Sequence, residues 1–479
     1  MFTFRELCDI LEVLKQIKKI LEEYMKKIKQ SIEQHLAAVA AENRKREDAL
    51  TDTVRLTAYS PKDGVWTDAL QRALNEHSVI VIPASDKPYR LDGTVTVPSD
   101  RKIVAEDGAV IRLGEGTRVL MLRNTTTADG TLAPIHDVPR NENITIEGGI
   151  WEESCLHRKG YGESGMYDAE RSFFGVSTCM LLENIDHLTL RNMTFRHCGG
   201  FAVQIGEARG IIIENITFEE CYADGIHVNG NVEDIHIRNV QGQVGDDLVA
   251  FNMFDWQNSS INFGPCRNVI CEDLTLSEDS HYKALRIEPG IYTFRDGSQV
   301  DCSLENAVFR RIRNIKTFKL YCQTPVYGPN RPPEPAGVGS GNNVIFEDIR
   351  VDLDGPIDCF DEYLNGDPTV GSFAAFELGL NVKNLFFHKI DLVLHRERFP
   401  YSYLLCIGPK SIRLPNGDEV FDPYFSSTAE NVYFSDITVN GLCRTELSPY
   451  LREIVFDGLY GDMPSTARGR LLRVITERK

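Results

Sequence analysis

The amino-acid sequence predicts an all-β fold, a right-handed parallel β-helix (a solenoid of short strands), preceded by an α-helical segment. The first observation is a repeat with apolar residues at positions one, three, six and eight, as in Leu188–Phe195 and Ile211–Phe218. Successive copies begin 23 and then 24 residues apart. Alternation with period two is typical of a strand, and the two-residue step marks a bend between strands. A repeat of this length is typical of one coil of a parallel solenoid.

The repeat continues toward the C-terminus. No helical pattern that could form a crossover lies between the copies, which excludes a doubly wound sheet. Asparagine or aspartate precedes many copies, and asparagine tolerates left-handed turns and can stack on its equivalent in the next coil. Further copies begin at Ile235, Val269, Val344, Leu385, Val432 and Ile454.

The first fifty residues form a helical unit of their own. Their apolar residues alternate spacings of three and four, which is the seam of a coiled coil. We therefore expect residues 1–50 to form a coiled coil that makes the protein a dimer or a trimer. The alternative is an amphipathic helix that packs on the body of its own chain. The seam consists of Leu7, Ile10, Leu14, Ile17, Leu21, Tyr24 and Ile28.

The rest of the chain divides into a cap and the solenoid. Residues 51–115 are expected to cap its N-terminal end, with a short helix between Asp63 and Glu76. A cap is needed because the open end of a β-helix is an unpaired sheet edge. Residues 116–479 are expected to form the β-helix domain itself.

Composition narrows the range of partners and compartments. The formal net charge of −18 disfavours nucleic acid and anionic membranes as partners. No apolar run reaches the roughly 20 residues of a membrane helix, and no signal peptide is visible. We therefore expect a cytoplasmic protein, or a virion protein if the chain is phage-encoded. The twelve cysteines include no C-x-x-C pair, and we expect neither a metal nor a cofactor.

A second strand of each coil brings aspartates together. With consecutive coils about 4.8 Å apart, Asp224 is expected to lie above Asp247, with Asp246 beside them. Carboxylates so close repel one another, which raises one pKa and leaves another group ionised. Such a pair supplies the acid and the base of glycoside hydrolysis. The alignment follows the inward residues Val203, Ile226, Val249 and Leu285.

Several further residues are expected to bind the sugar substrate. Basic side chains one coil away can hold hydroxyls or a carboxylate, and an aromatic residue in the loop after Asn252 can stack on a sugar face. These candidates are His227, Asn252, Trp256, His281, Lys283, Arg286 and Glu288.

The motifs Asp224-Gly225-Ile226 and Gly245-Asp246-Asp247 resemble the signature of glycoside hydrolase family 28, the polygalacturonases. That family has Asn-Thr-Asp-Gly-x-Asp, followed one coil later by Gly-Asp-Asp. The resemblance covers residues 141–252; beyond them only the repeat is shared. It implies that Asp247 is the general acid, that Asp224 and Asp246 activate water, and that the anomeric centre inverts.

The sequence also differs from that family's pattern. His227 replaces the second aspartate of the first motif, and Tyr282-Lys283-Ala284 stands where the family has Gly-His-Gly. The best counterpart of the family's Arg-x-Lys is Arg286-Ile287-Glu288, one coil early. These differences leave the hydrolytic carboxylates in place and make galacturonate the weaker choice of substrate.

Two other functions use the same fold. A polysaccharide lyase would hold calcium with the aspartates and use Lys283 or Arg286 as its base. A phage tailspike-type protein would bind or depolymerise a host glycan and oligomerise through its N-terminal helix.

Overall fold

A computed structural model confirms the right-handed parallel β-helix. It describes residues 4–114, 117, 119–126, 139–153, 178–255, 260–280, 282–294, 296–321, 337–354, 373–398, 402–407, 411–413, 419–421, 428–443, 454–456, 470–471 and 474–476. Two α-helices lie in these ranges, α1 (Phe4–Asp48) and α2 (Thr67–Glu76). Neither is long and apolar enough to cross a membrane.

The strands follow α1 and continue to the end of the described chain. They are β1 (Thr53–Arg55), β2 (Val79–Ile82), β3 (Tyr89–Leu91), β4 (Val95–Val97), β5 (Arg101–Leu113), β6 (Leu122–Asn124), β7 (Asn141–Glu152), β8 (Met180–Arg196), β9 (Val203–Glu219), β10 (Ile226–Asn229), β11 (Val232–Gly242), β12 (Val249–Asn252), β13 (Cys266–Leu276), β14 (Ala284–Ile287), β15 (Gly290–Thr293), β16 (Gln299–Cys302), β17 (Leu304–Arg313), β18 (Thr317–Tyr321), β19 (Ser340–Leu353), β20 (Phe373–Gly379), β21 (Asn381–Leu394), β22 (Ser402–Ile407), β23 (Ser411–Arg413), β24 (Glu419–Phe421), β25 (Thr428–Val439), β26 (Leu442–Cys443), β27 (Ile454–Phe456), β28 (Arg470–Leu471) and β29 (Val474–Thr476).

The coils stack in parallel along two faces. The long strands β5, β7, β8, β9, β11, β13, β17, β19, β21 and β25 pair in that order. The second face continues from β9 through β10, β12, β14, β18, β20 and β22 to β27. Parallel stacking already begins where β1 pairs with β2, within the region that we expected to form the cap. Helix α2 lies in the same region and buries Ala69, Leu70, Ala73 and Leu74.

The core explains why the predicted repeat fixes the register. Apolar residues of one repeat stand directly on those of the next, as Ile211 does on Leu188 and Ile235 on Ile211. All three of these side chains are buried. A slip by one residue would turn each strand's apolar side chains outward, so burial selects one register.

An asparagine ladder lines one turn of the solenoid, as the sequence predicts. Asn343 Nδ2 donates to Asn306 Oδ1 at 2.9 Å, and Asn384 Nδ2 donates to Asn343 Oδ1 at 3.1 Å. These residues have φ values of 55° to 58°, the left-handed region that asparagine tolerates better than most residues. Each coil is therefore tied to the next by a side chain as well as by the strand ladder.

Replacing Asn343 by alanine is expected to lower the free energy of unfolding by about 3–4 kcal/mol. The variant loses two ladder hydrogen bonds at about 1 kcal/mol each, and alanine is disfavoured at positive φ. Denaturant unfolding followed by circular dichroism measures the loss. Asn343→Gly is the matched control, because it keeps the backbone conformation and loses only the hydrogen bonds. Equal losses in both variants would show that the left-handed turn contributes nothing.

Helix α1 runs along the outside of the solenoid. Its Ile32 and Leu36 are buried against outward-facing apolar side chains of β13, β17, β19, β21 and β25. Charged pairs flank this contact: Lys29 with Glu347 at 3.0 Å, and Arg310 with Glu33 at 2.5 Å. The outward-facing side chains are Ile270, Val308, Ile345, Phe386 and Tyr433.

The described part of α1 therefore packs on its own chain, which is the alternative to the coiled coil. Of the predicted seam, Tyr24 donates to Asn343 Oδ1 at 3.1 Å and Ile28 packs on the solenoid. The other seam side chains, Leu7, Ile10, Leu14, Ile17 and Leu21, lie outside the described residues. That they join two or three chains stays a prediction.

Candidate active site

The three predicted aspartates lie together on the second face of the solenoid. Asp224 precedes β10, Asp246 and Asp247 precede β12, and the predicted pairing of Ile226 with Val249 is confirmed. One oxygen from each carboxyl group lies within 4.8 Å of the other two. The backbone N–H of Asp247 donates to Asp224 Oδ1 at 3.1 Å, which fixes the two coils against each other.

Two glycines allow the backbone to pack this closely. A Cβ on Gly245 would lie 2.3 Å from the carbonyl oxygen of Tyr222, and one on Gly225 would lie 2.7 Å from that of Leu248. Any side chain at these positions would therefore push neighbouring coils apart. The Asp-Gly and Gly-Asp-Asp motifs thus need their glycines for packing, independently of any chemistry.

Burial sets the protonation of Asp247. Asp224 and Asp247 are each 1% exposed, and Asp246 is 7% exposed. Burial raises the pKa of Asp247 well above its usual range, and the negative charges of Asp246 and Asp224 raise it further. Arg286 and Lys319 oppose this shift without cancelling it. The Asp247 carboxyl group therefore carries a proton at a pH at which an exposed aspartate is ionised.

Arg286 lies at the centre of the cluster. Its Nε is 3.2 Å from Asp247 Oδ2, and its Nη2 is 3.6 Å from Asp246 Oδ1. Nη2 also donates to the Tyr282 hydroxyl at 3.0 Å, and Nη1 is 3.7 Å from Glu288 Oε1. Burial raises the pKa of Glu288 to about 8, although Arg286 lowers it. Arg286 thus places a positive charge beside Asp246 and Asp247, and Glu288 is protonated at neutral pH.

His227 is clamped between two carboxylates. Nδ1 donates to Asp224 Oδ2 at 2.6 Å, and Nε2 faces Asp255 Oδ2 at 2.9 Å. Burial alone would lower the pKa of His227, but Asp224 and Asp255 outweigh burial and raise it to about 9. His227 is therefore an imidazolium at neutral pH.

Asn252 lies at the edge of the same cluster. Its backbone carbonyl accepts a hydrogen bond from Asn229 Nδ2 at 3.0 Å. Its side-chain Oδ1 is buried and has no hydrogen-bond partner among the described residues. That oxygen is available to accept a hydrogen bond from a ligand hydroxyl.

Three of the predicted binding residues are not placed in the cluster. The ammonium group of Lys283 donates to the Glu278 carbonyl at 2.8 Å, so its described contacts are elsewhere. Trp256 and His281 lie outside the described residues. The site that the structure describes therefore contains His227, Asn252, Arg286 and Glu288 of the predicted set.

Sequence reasoning missed Lys319 and Asp255. Lys319 stands one coil below Arg286 in the same outward column, buried and 4.8 Å from the centre of the Tyr282 ring. Extending the strand alignment by one more coil would have found it. Asp255 follows β12 in a segment without strand register, so no alternation could have pointed to it.

The cluster favours proton transfer over metal binding. Asp224, Asp246 and Asp247 are the described residues that could together hold a cation. However, the Arg286 guanidinium already lies within 3.6 Å of two of these carboxyl groups. A divalent cation would repel this buried charge, and it would require Asp247 to lose its proton.

The fold and this cluster define a class, the right-handed parallel β-helix proteins with clustered carboxylates on one face. No protein-family model matches the sequence, and no curated protein matches it. Among solved structures, the chain is similar to the family 28 exopolygalacturonase of Yersinia enterocolitica, with 12% identity and a TM-score of 0.50 over 89% of this chain and 79% of that one.

Two further solved structures are similar with lower scores. The polygalacturonase of Erwinia carotovora ssp. carotovora has 13% identity and a TM-score of 0.42 over 71% of this chain and 92% of that one. The surface adhesin PfbA of Streptococcus pneumoniae has 11% identity and a TM-score of 0.42, over 81% and 88%. At 12% identity the likeness to the Yersinia enterocolitica enzyme shows the fold alone, so function has to be argued from the site.

Proposed function

We propose that this chain is a glycoside hydrolase that cleaves a polysaccharide or oligosaccharide. Asp247 is the general acid that protonates the leaving oxygen, and Asp224 and Asp246 activate the attacking water. The observation that carries this proposal is the buried Asp247 carboxyl group, one oxygen of which lies within 4.8 Å of two other carboxyl groups. Burial raises the pKa of Asp247 well above its usual range. Two carboxyl groups held in different protonation states are what glycoside hydrolysis requires.

Inversion of the anomeric centre is proposed from the motif resemblance. Inverting enzymes usually separate their two carboxyl groups by about 6.5–9.5 Å, and the oxygens here approach within 4.8 Å. The separation of the carboxyl groups therefore does not by itself support inversion. Proton NMR of the first product anomer tests it directly.

Screening the purified full chain tests the function. Oligosaccharides of uronate, galactose, rhamnose and fucose are incubated with the protein, and new reducing ends are measured with and without a chelator. We expect hydrolysis that survives the chelator and yields no unsaturated product. An unsaturated product would indicate the lyase. Binding without cleavage would indicate a tailspike-type glycan-binding protein.

The lyase has weaker support from the site. Its base must be unprotonated, whereas Arg286 is buried among carboxyl groups at 3.2 to 3.7 Å. Such partners stabilise the charged guanidinium. The other candidate base, Lys283, is engaged by Glu278.

Replacing Lys319 by methionine is expected to move the alkaline limit of activity to higher pH. The Lys319 charge lowers the pKa of Asp247, so its loss raises that pKa and keeps the general acid protonated in more alkaline solution. The pH dependence of kcat measures the shift. Lys319→Arg keeps the charge and is expected to leave the alkaline limit unchanged. A Lys319→Met profile identical to wild type would contradict the proposed role of Asp247.

A further inference from the structure

His227 was predicted to bind substrate, but both of its ring nitrogens are engaged. Nδ1 is 2.6 Å from Asp224 Oδ2, and Nε2 is 2.9 Å from Asp255 Oδ2. The ring is 1% exposed. Nε2 also lies 3.2 Å from Asn229 Nδ2. Each ring nitrogen therefore has a carboxyl oxygen within 2.9 Å, and neither nitrogen is open to a sugar hydroxyl.

Packing holds the imidazole ring in this orientation. Phe201 stacks on His227 with ring centroids 3.8 Å apart and an interplanar angle of 13°. A cation over an aromatic face is stabilised more strongly when it is desolvated. A tilt of the imidazole ring out of this plane would therefore lose the contact with Phe201.

Asp255 is held by the segment that follows β12. The backbone N–H of Phe254 donates to the Glu288 carbonyl at 2.9 Å, and the Phe254 ring is buried close to Phe263. The neighbouring residue Asp255 is thereby fixed next to His227 although it lies outside any strand. Asp255 is itself buried, and the imidazolium of His227 lies 2.9 Å from its Oδ2.

The two carboxyl oxygens of Asp224 accept hydrogen bonds from different donors. Oδ2 accepts from His227, and Oδ1 accepts from the backbone N–H of Asp247 at 3.1 Å. A carboxyl group whose two oxygens accept from different donors is held in one orientation. Asp224 is thus fixed in orientation beside Asp247.

We infer that Asp255 and His227 form a positioning pair that holds Asp224 oriented toward the attacking water. The inference rests on the proposed hydrolase function. Neither residue touches the substrate: Asp255 fixes the imidazolium, and the imidazolium fixes Asp224, as the third member of a catalytic chain orients the base. No atom is transferred to either residue during the reaction.

Asp255→Asn is the primary test, because it removes one negative charge with almost no change in shape. We expect kcat to fall on the order of 10- to 100-fold and KM to change less than about twofold. The alkaline limit of activity should also move to lower pH, since loss of an anionic partner lowers the pKa of His227 and the imidazolium is lost sooner. The charged and titratable groups that face His227 are Asp224, Asp255 and Glu288.

His227→Gln and the double variant complete the experiment. If Asp255 acts through His227, the double variant is no slower than His227→Gln alone. Asp52→Asn is the matched control: it removes the carboxylate of another histidine–aspartate pair, Asp52 with His77 at 3.0 Å, outside the cluster. That variant should keep the wild-type kcat and pH profile.

Ring NMR of histidine-labelled protein separates this inference from the proposed function. The His227 signal, assigned by its loss in His227→Gln, should titrate near pH 9 in the wild type and at lower pH in Asp255→Asn. A neutral His227 at pH 7 would overturn the inference whatever the enzyme does. So would an unchanged kcat and pH profile in Asp255→Asn while Asp247→Asn is inactive, and the hydrolase function would then stand. If no glycan is cleaved but His227 titrates as expected, the proposed hydrolase function fails. The contacts of His227 with Asp224 and Asp255 are then structural only.

Discussion

Replacing Asp247 by asparagine is expected to reduce kcat by about 10³-fold or more, which corresponds to about 4 kcal/mol of transition-state stabilisation. The change removes the proton that the leaving oxygen must receive and keeps the shape of the side chain. Asp247 is 1% exposed, and burial raises its pKa well above the usual range. Reducing-end release on the substrate found in the glycan screen measures the loss.

Asp279→Asn is the matched control for this prediction, because Asp279 is exposed in the turn before β14. It should retain wild-type activity. Asp246→Asn should also lose activity, since it removes one of the groups that activate water. Full activity in both Asp247→Asn and Asp246→Asn would show that the aspartate cluster is not the catalytic site.

A pH-dependent stability measurement tests Asp247 without any substrate. The folded-state pKa of Asp247 is raised above its unfolded value, so the folded state binds this proton more tightly than the unfolded state. The contribution is fully present below the unfolded pKa and is lost as pH rises through the folded pKa. Asp247→Asn should therefore gain stability relative to wild type as pH rises. A constant difference across neutral and alkaline pH would show that Asp247 is ionised in the folded protein.

The sequence predicted the solenoid and its register because burial enforces both. Inward residues such as Ile226 and Val249 have one apolar partner in the next coil, so counting the repeat is enough to place Asp224 near Asp247. Lys319 follows from the same column as Arg286 and was missed only because the alignment stopped a coil early.

Other features of the site could not follow from periodicity. Asp255 lies in a segment without regular alternation, and its contact with His227 depends on how that segment folds back. Lys283 occupies the predicted position, but its long side chain reaches Glu278, a choice that strand register does not determine. Side-chain direction in loops and on exposed faces depends on tertiary contacts that a single sequence does not encode locally.

The role of α1 was ambiguous for a related physical reason. Apolar residues at spacings of three and four make one stripe on a helix, and a stripe fits another helix or a sheet face equally well. Helix α1 packs on outward-facing apolar side chains such as Ile345 and Phe386. These residues alternate with core residues along strands whose repeat predicts burial of the inner face only. Apolar residues on both faces of a strand indicate that another element covers the outer face, and this pattern could have predicted the packed helix.

Replacing Leu36 by alanine is expected to lower the free energy of unfolding by about 2–4 kcal/mol. Leu36 is 1% exposed between α1 and the solenoid, and truncating a buried leucine leaves a cavity as well as losing apolar contact. Thermal unfolding and protease sensitivity of the helix measure the effect. Ile20→Ala on the same helix is the matched control, because Ile20 is 64% exposed and should tolerate the change.

Two truncations then separate packing from oligomerisation. Removing residues 1–48 uncovers the apolar side chains Ile270, Val308 and Ile345, so the remaining solenoid should lose stability and solubility. Removing only residues 1–21 keeps Ile32 and Leu36 in place and should leave the unfolding midpoint close to that of the full chain. If the N-terminal seam joins two or three chains, this shorter truncation lowers the particle mass in light scattering to that of one chain. An unchanged mass would refute the oligomeric coil, and stable behaviour of Leu36→Ala would refute the packed helix, so each role of α1 can fail without the other.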